Sequence, residues 1–311
     1  MEIKGALLTG GYGKRMQGLD PGLPKNLLPI RDNYTILDRQ LRDFKIGGID
    51  EVYMLTGYLG DKIEKKFGNN WRGIRLEYFR EERPMGTLWS LRNLFSNVPG
   101  DFVVRNGDTI CDVDLRDFIR RGERSKKIGY ILAVKMRSPY GILKIAGNTV
   151  REIDEKPLMN HYINAGTYLL KEDITRYLKK RYEGKDIEKT LFRQMSIENN
   201  LGVMKYDGFW VSVDSLKDYE KIREEYEGRT DHEFGYSVHR KGWVETYFVR
   251  KAEIKAKMRY EIAVLRGSVV KNGRKYGRGS KIAVEKGDDL SFEENAISRA
   301  RLKFLSDMPS F

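Results

Sequence analysis

From residue 4 to about residue 213 the chain alternates short apolar runs with amphipathic stretches. Ala6-Leu7-Leu8, Val52–Leu55 and Phe102-Val103-Val104 are continuous apolar runs, the pattern of buried strands, and Ile74–Phe79 also reads as a strand. Between them lie helical stripes: Ile36-Leu37, Gln40-Leu41 and Phe44, stopped by Gly47-Gly48; then Leu59, Ile63 and Phe67; then Leu88, Leu91 and Leu94. Strands alternating with such helices predict an α/β fold, a Rossmann-like mixed but mostly parallel sheet flanked by helices. Further along, Ile142–Ile145 and Val150–Ile153 flank Gly147-Asn148 and predict a hairpin. Tyr168–Leu170 and Phe209–Val213 read as strands, and Asp114 as the cap of a helix Leu115–Arg121.

The pattern then changes. Glu224–Glu233 is densely charged and reads as a linker. Gly235–Phe311 has little helical periodicity; Tyr260–Leu265, Ser268–Lys271, Lys281–Val284 and Arg301–Leu305 read as short strands between glycine turns. This predicts a small C-terminal all-β barrel or roll. The expected domains are 1–228 and 235–311. No hexapeptide repeat is present, which excludes a left-handed β-helix.

The first strand runs into Gly10-Gly11-Tyr12-Gly13, followed by Lys14-Arg15 and, ten residues after Arg15, by Lys25. Backbone N–H groups in a glycine loop approach an anion closely, and two cations beside them suit a polyphosphate. A dinucleotide fingerprint fails because Met16 stands at the third glycine; a P-loop fails because Gly13-Lys14 is followed by Arg15. Asp108, in Asn106-Gly107-Asp108, and Asp214 each follow a predicted strand, which puts their carboxylates at the ligand-binding edge of such a sheet. Asp112-x-Asp114 reads either as a turn and cap or as a metal-binding Asp-x-Asp pair.

Charge narrows the partners. Lys plus Arg number 58 against 45 Asp plus Glu, a formal +13 over 311 residues, which favours polyanions. Bases are interleaved with acids, as in Arg80-Glu81-Glu82-Arg83, and no RNA-binding signature stands out, so phosphorylated metabolites are expected rather than nucleic acid. No run is long and apolar enough to span a bilayer, and the N-terminus enters the first strand without a signal peptide, so no membrane partner and a cytoplasmic site are expected. Cys111 is the only cysteine, which rules out an intrachain disulfide; it reads as a small buried residue. Three scattered histidines, His161 among them, and no Ser-His-Asp constellation point to chemistry that needs no general base. A homo-oligomer is expected.

The stretch Gly5–Ile30, with Arg15 and Pro24-Lys25, resembles the signature of sugar-phosphate nucleotidylyltransferases, with Lys14 and Met16 standing where Thr and Leu are usual. Asn106-Gly107-Asp108, Tyr140-Gly141, Glu155-Lys156-Pro157, Ile163-Asn164-Ala165-Gly166 and Phe209–Asp214 match the same family in the same order, over about the first 225 residues. Asn106-Gly107-Asp108-Thr109 and Pro84-Met85-Gly86-Thr87 look most like the guanylyltransferases of mannose 1-phosphate and heptose 1-phosphate. The C-terminal region is vaguely similar to a cupin-like domain; with no clustered histidines after His239, such a domain would have lost its metal.

The resemblance implies an enzyme that transfers a nucleoside monophosphate from an NTP to a sugar 1-phosphate and releases pyrophosphate. GTP is the first expectation, with UTP, dTTP or CTP as alternatives. It implies catalytic roles for Arg15, Lys25 and Asp108. Leu8, Gly10, Gly11, Gly13, Glu81, Gly86 and Thr87 would surround the nucleotide, Gly86 letting the base lie against backbone. Gly141, Glu155, Lys156 and Asn164 would surround the sugar phosphate, and Asp108 and Asp214 would hold Mg²⁺. Two rival readings stand beside it: a non-catalytic regulatory protein that binds sugar nucleotides, and a glycosyltransferase using Asp112-x-Asp114. The sugar is not legible.

Overall fold

The computed structural model describes residues 2–11, 22–83, 85–240 and 243–301. Contacts divide the chain into two compact units, Met1–Pro29 with Tyr34–Leu216, and Ile30–Asn33 with Lys217–Phe311.

The first unit is built on an eight-stranded sheet in the order Leu201–Tyr206, Gly129–Arg137, Leu158–Leu170, Phe102–Asn106, Lys4–Leu8, Glu51–Thr56, Ile74–Arg80, Asn70–Trp71. Lys4–Leu8 is parallel to Phe102–Asn106 on one side and to Glu51–Thr56 on the other, and Glu51–Thr56 is parallel to Ile74–Arg80. Leu158–Leu170 runs antiparallel to both its neighbours, so the sheet is mixed. The apolar runs alternate between two cores, as strand geometry requires. Leu7 packs with Leu37, Leu41 and Phe44, and Ala6 with Leu88, Leu91 and Leu94.

Helix Ile36–Gly47 begins at a capping box. Thr35 Oγ1 accepts from the Asp38 N–H at 3.2 Å and the Asp38 carboxylate accepts from the Thr35 N–H at 2.9 Å. It ends at Gly48, whose φ of +82° only glycine adopts cheaply. Asp114 caps helix Leu115–Arg124 as expected, accepting from the Arg116 N–H at 2.9 Å. The predicted hairpin forms as Ile142–Ala146 paired with Thr149–Asp154, every residue of it exposed. After Ile74–Arg80 the chain returns to the far side of Lys4–Leu8 as Phe102–Asn106. The loops leaving these two strands therefore diverge at a topological switch point, where open α/β sheets bind ligands.

In the second unit the charged run is not a linker. Helix Leu216–Tyr226 extends into its first three residues, burying Ile222 and Tyr226, and strand Arg229–His232 takes up most of the rest. Lys, Arg and Glu are good helix formers, and the apolar pair four apart suffices to define a buried face. Arg229 is itself buried, with its guanidinium 4.6 Å from the Tyr226 ring and 3.8 Å from the Tyr236 ring and its Nε 3.0 Å from Asp231. The remaining strands are all antiparallel. One sheet contains the order Trp243–Phe248, Ile297–Arg301, Tyr260–Arg266, Lys281–Val284, and the other Ala252–Lys255, Asp289–Phe292, Ser268–Lys271, Arg274–Gly277. This is the strand order of a double-sheet jelly roll. Its core includes Phe248 stacked on Phe292 at 4.1 Å. The expected strand Arg301–Leu305 falls largely outside the described residues; the strand observed there is Ile297–Arg301.

Candidate active site

The strand Lys4–Leu8 delivers Thr9-Gly10-Gly11, and Phe102–Asn106 delivers Gly107-Asp108 beside it. The Gly107 N–H donates to the Leu8 carbonyl at 3.0 Å. A Cβ on Gly107 would lie 2.5 Å from Asn26 Nδ2, 2.7 Å from Thr9 Cγ2 and 2.9 Å from the Leu8 oxygen, so only glycine fits. Gly107→Ala is expected to destabilise the protein by about 1–3 kcal/mol, the usual cost of overpacking, read from the urea midpoint; an unchanged midpoint would show that the turn yields freely.

Asp214 reaches the same place by strand pairing. Thr109–Cys111 pairs antiparallel with Trp210–Ser212, with Thr109 opposite Ser212, and the Val213 N–H donates to the Asp108 carbonyl at 3.0 Å. Trp210 Nε1 donates to the Ala165 carbonyl at 2.9 Å, which ties this ribbon to the main sheet. The two carboxylates converge on one ammonium: Lys25 Nζ is 2.6 Å from Asp108 Oδ2 and 3.2 Å from Asp214 Oδ1. Burial lowers the Lys25 pKa, but the charges and hydrogen bonds of Asp108 and Asp214 outweigh it, and the net shift is upward. The Thr109 hydroxyl donates to Asp108 Oδ1 at 3.3 Å and the Ser212 hydroxyl to Asp214 Oδ2 at 2.7 Å. Two carboxylates gathered on one cation are a hard oxygen donor set of the kind Mg²⁺ takes beside substrate phosphates and water. Among the described residues no cluster of three or more His, Cys, Asp or Glu side chains forms a self-sufficient metal site.

Leu8, Gly10, Gly11, Lys25, Glu81, Gly86, Thr87 and Asp108 line a single cavity of about 290 Å³. Gly13 and Arg15 lie outside the described residues. Glu81 accepts hydrogen bonds from the Ser90 hydroxyl on Oε1 and from the Met85 N–H at 3.1 Å on Oε2. Packing gives Gly86 a further reason to be glycine. Its φ is +87°, and a Cβ there would sit 2.5 Å from Lys185 Cβ and 2.8 Å from the Lys185 oxygen. The space left by the missing side chain is filled by Lys185, while Gly86 itself lines the cavity. Thr87 Oγ1 accepts from the Ile187 N–H at 3.0 Å, and the Leu88 N–H donates to the Lys185 carbonyl at 2.9 Å.

These bonds fasten the segment 185–188 to the start of helix Thr87–Asn97 and bring Glu188 into the cavity wall. Sequence reading missed Glu188. It sits on a π-helical turn, Glu188–Phe192, a rare conformation with no clear pattern of its own in the chain. Its Oε1 is 3.5 Å from Asn164 Nδ2 and 3.5 Å from the hydroxyl of buried Tyr168.

The four residues expected around a sugar phosphate are less gathered. Asn164 reaches the cavity through Glu188, and it also donates to Tyr168 Oη at 2.8 Å. Gly141, Glu155 and Lys156 lie together at the base of the exposed hairpin, outside the cavity lining. Lys156 Nζ is 3.7 Å from Glu155 Oε1, and a Cβ on Gly141 would sit 2.9 Å from Glu155 Oε2. Lys156 has a left-handed backbone, φ +52°, with its carbonyl held by Arg137 Nη1 at 3.0 Å. Such strain in a non-glycine residue persists only where its surroundings enforce it.

The Asp-x-Asp reading does not survive the geometry. Asp112 is buried and its Oδ1 lies 2.7 Å from Arg39 Nη2, while Asp114 is a helix cap. Cys111 is fully buried, and burial pushes its thiol pKa up to about 12, so it is no nucleophile.

The nucleotidyl transferase family matches residues 4–229, and so spans both carboxylates, Lys25 and the cavity. The chain belongs to this family. Among curated nucleotidyl transferases it is 30% identical over 228 residues to the mannose-1-phosphate guanyltransferase beta-A of Xenopus laevis, covering 70% of this chain and 62% of that one. It is 31% identical over 234 residues to the D-glycero-alpha-D-manno-heptose 1-phosphate guanylyltransferase of Aneurinibacillus thermoaerophilus, covering 72% and 98%. The chain thus spans under two thirds of the length of the frog relative. Among solved structures it shares the fold of a UDP-glucose pyrophosphorylase from Acinetobacter baumanii, with a TM-score of 0.59, 19% identity, and 73% and 93% coverage.

Proposed function

We propose that this nucleotidyl transferase joins a sugar 1-phosphate to the nucleoside monophosphate of an NTP, releasing pyrophosphate, and that GTP is its preferred donor. One observation carries the reading: Asp108 and Asp214 converge on Lys25, and Lys25 and Asp108 line the cavity beyond the ends of two paired parallel strands. The sugar phosphate is already an anion at neutral pH, so attack on the α-phosphorus needs no general base. Catalysis is then positioning and charge stabilisation. Lys25 neutralises phosphate charge, with Arg15 in the same role. Gly10 and Gly11 offer backbone to the nucleotide. Asn164 and Glu188 face the sugar from the far wall, with Glu155, Lys156 and Gly141 approaching it from the hairpin base. Mg²⁺, when held by Asp108 and Asp214, supplies positive charge to the phosphates.

Glu81 is the base reader in this proposal. Its two carboxylate oxygens carry about four lone-pair sites, and Ser90 and Met85 occupy one on each oxygen. That leaves a rigidly held acceptor edge. Guanine offers two adjacent donors to such an edge, N1–H and the exocyclic amine. Uracil and thymine offer one donor flanked by carbonyls that a carboxylate repels. The names of the frog and Aneurinibacillus relatives, both guanylyltransferases, agree with this. A bidentate contact of this kind discriminates by about 1–3 kcal/mol, so kcat/KM for GTP is expected to exceed that for UTP or dTTP by about one to two decades. Pyrophosphate release with four NTPs and a panel of sugar 1-phosphates, on wild type and Glu81→Gln, tests it. A wild-type preference for a pyrimidine, or a GTP preference untouched by the substitution, would remove Glu81 as the reader. Tight nucleotide binding with no pyrophosphate release from any pair would favour a regulatory protein.

A further inference from the structure

Gln40 lies next to the Asp108 turn and outside the cavity lining. It sits in helix Ile36–Gly47 and is fully buried. Its side-chain amide donates to the Asn106 carbonyl at 2.8 Å and also to the Thr109 carbonyl. These two carbonyls bracket Gly107-Asp108. The two protons of one NH₂ group therefore close both ends of the turn that carries the carboxylate. Both acceptors are carbonyls, so the NH₂ end of Gln40 must face them. The next residue back extends the clamp: Arg39 Nη2 donates to the Cys111 carbonyl at 3.3 Å and to Asp112 Oδ1 at 2.7 Å. A helix residue holding two backbone acceptors fixes the turn more tightly than the turn's own sequence does, and Gly107, having no side chain, adds no stiffness of its own.

We infer that Gln40 is a positioning residue: it sets where Asp108 points, and through Asp108 the charge geometry shared with Lys25 and Asp214. It touches no substrate. The inference rests on the nucleotidyl-transfer reading, since only there does the aim of Asp108 govern a rate. Groups that orient a metal-binding carboxylate from behind typically change metal affinity or activity by about 10–100-fold when removed.

The test uses the full chain with Gln40→Met, which keeps length and volume but donates nothing, and Gln40→His, whose ring N–H can restore one of the two bonds. Mn²⁺ binding in the presence of GTP and without sugar phosphate is read from the free-ion EPR signal. kcat, KM and melting temperature are measured alongside. For Gln40→Met the Mn²⁺ dissociation constant is expected to rise about tenfold and kcat to fall about tenfold, with KM for the sugar phosphate unchanged. Gln40→His is expected to recover part of both. A residue that merely supported the fold would lower the melting temperature and leave metal affinity of the folded fraction alone. If Gln40→Met fails to fold, Gln40→His still decides, because a folded variant with wild-type Mn²⁺ affinity and kcat overturns the inference. A wild-type chain that neither releases pyrophosphate nor binds Mn²⁺ with GTP overturns the functional reading instead, so the two failures are distinct.

Discussion

Asp108→Asn is expected to leave the chain folded and to lower turnover by about three orders of magnitude, a loss comparable with removing a principal charge-stabilising group from an active site. The amide keeps the shape and the hydrogen bond from Thr109, but it carries no charge. Lys25 loses its 2.6 Å partner and, among the described residues, keeps Asp214, which is half exposed and 3.2 Å away. A single exposed carboxylate is a poor holder for a divalent cation. The measurement is single-turnover pyrophosphate release at saturating substrates, with the melting temperature as a fold control. Near-normal turnover in Asp108→Asn, with loss in Asp112→Asn, would sink the assignment. The buried Arg39–Asp112 pair gives Asp112→Asn a different expected signature, lower stability at unchanged intrinsic rate.

The same comparison shows which features of the site can be read from a chain of letters. Asp108 was legible because it follows an apolar strand and a glycine, and strand ends mark the binding edge of a parallel sheet. Lys25 and the glycine loop were legible for the same local reason. The pairing that carries Asp214 to Asp108 was not, because it depends on the register of Thr109–Cys111 with Trp210–Ser212, a contact across about a hundred residues. Glu188 was hidden in a π-helical turn that has no periodicity to detect. Gly86 is legible within Pro84-Met85-Gly86-Thr87, but the neighbour that requires glycine there, Lys185, lies far along the chain. The sheet's strand–helix alternation was plain, whereas the helix through Glu224–Tyr226 was concealed by its charge. Least visible was the polar cluster behind the site: Arg39, Arg42 and Asp43 look like the solvated face of an amphipathic helix, yet all three are buried.

That cluster carries the other large expectation, a loss of stability of about 3–5 kcal/mol in Asp43→Ala. Asp43 Oδ2 is 2.9 Å from Arg105 Nη1 and also pairs with Arg39, while Oδ1 is 3.3 Å from Arg42 Nη1. Three buried guanidinium groups thus meet at Asp43, and Arg39 also reaches Asp112. Removing Asp43 takes a carboxylate partner from each of three buried cations, and a buried charge left uncompensated costs several kcal/mol. Against a total stability of about 5–15 kcal/mol for a typical domain, the variant is expected to be largely unfolded at growth temperature. The opposite change should be mild. Arg105 is fully buried, and its Nε and Nη2 have no hydrogen-bond partner among the described residues. Arg105→Met removes one of three cations and two orphaned donors, while Asp43 keeps Arg39 and Arg42. Replacing a poorly satisfied buried charge with an apolar side chain of similar volume is often neutral or stabilising. Urea unfolding of the two variants therefore separates two accounts. If the cluster holds by mutual neutralisation, Asp43→Ala collapses and Arg105→Met stays within about 1 kcal/mol of wild type. If instead the two variants lose equal stability, the arginine contributes by packing and hydrogen bonding in its own right, and the charge account is wrong.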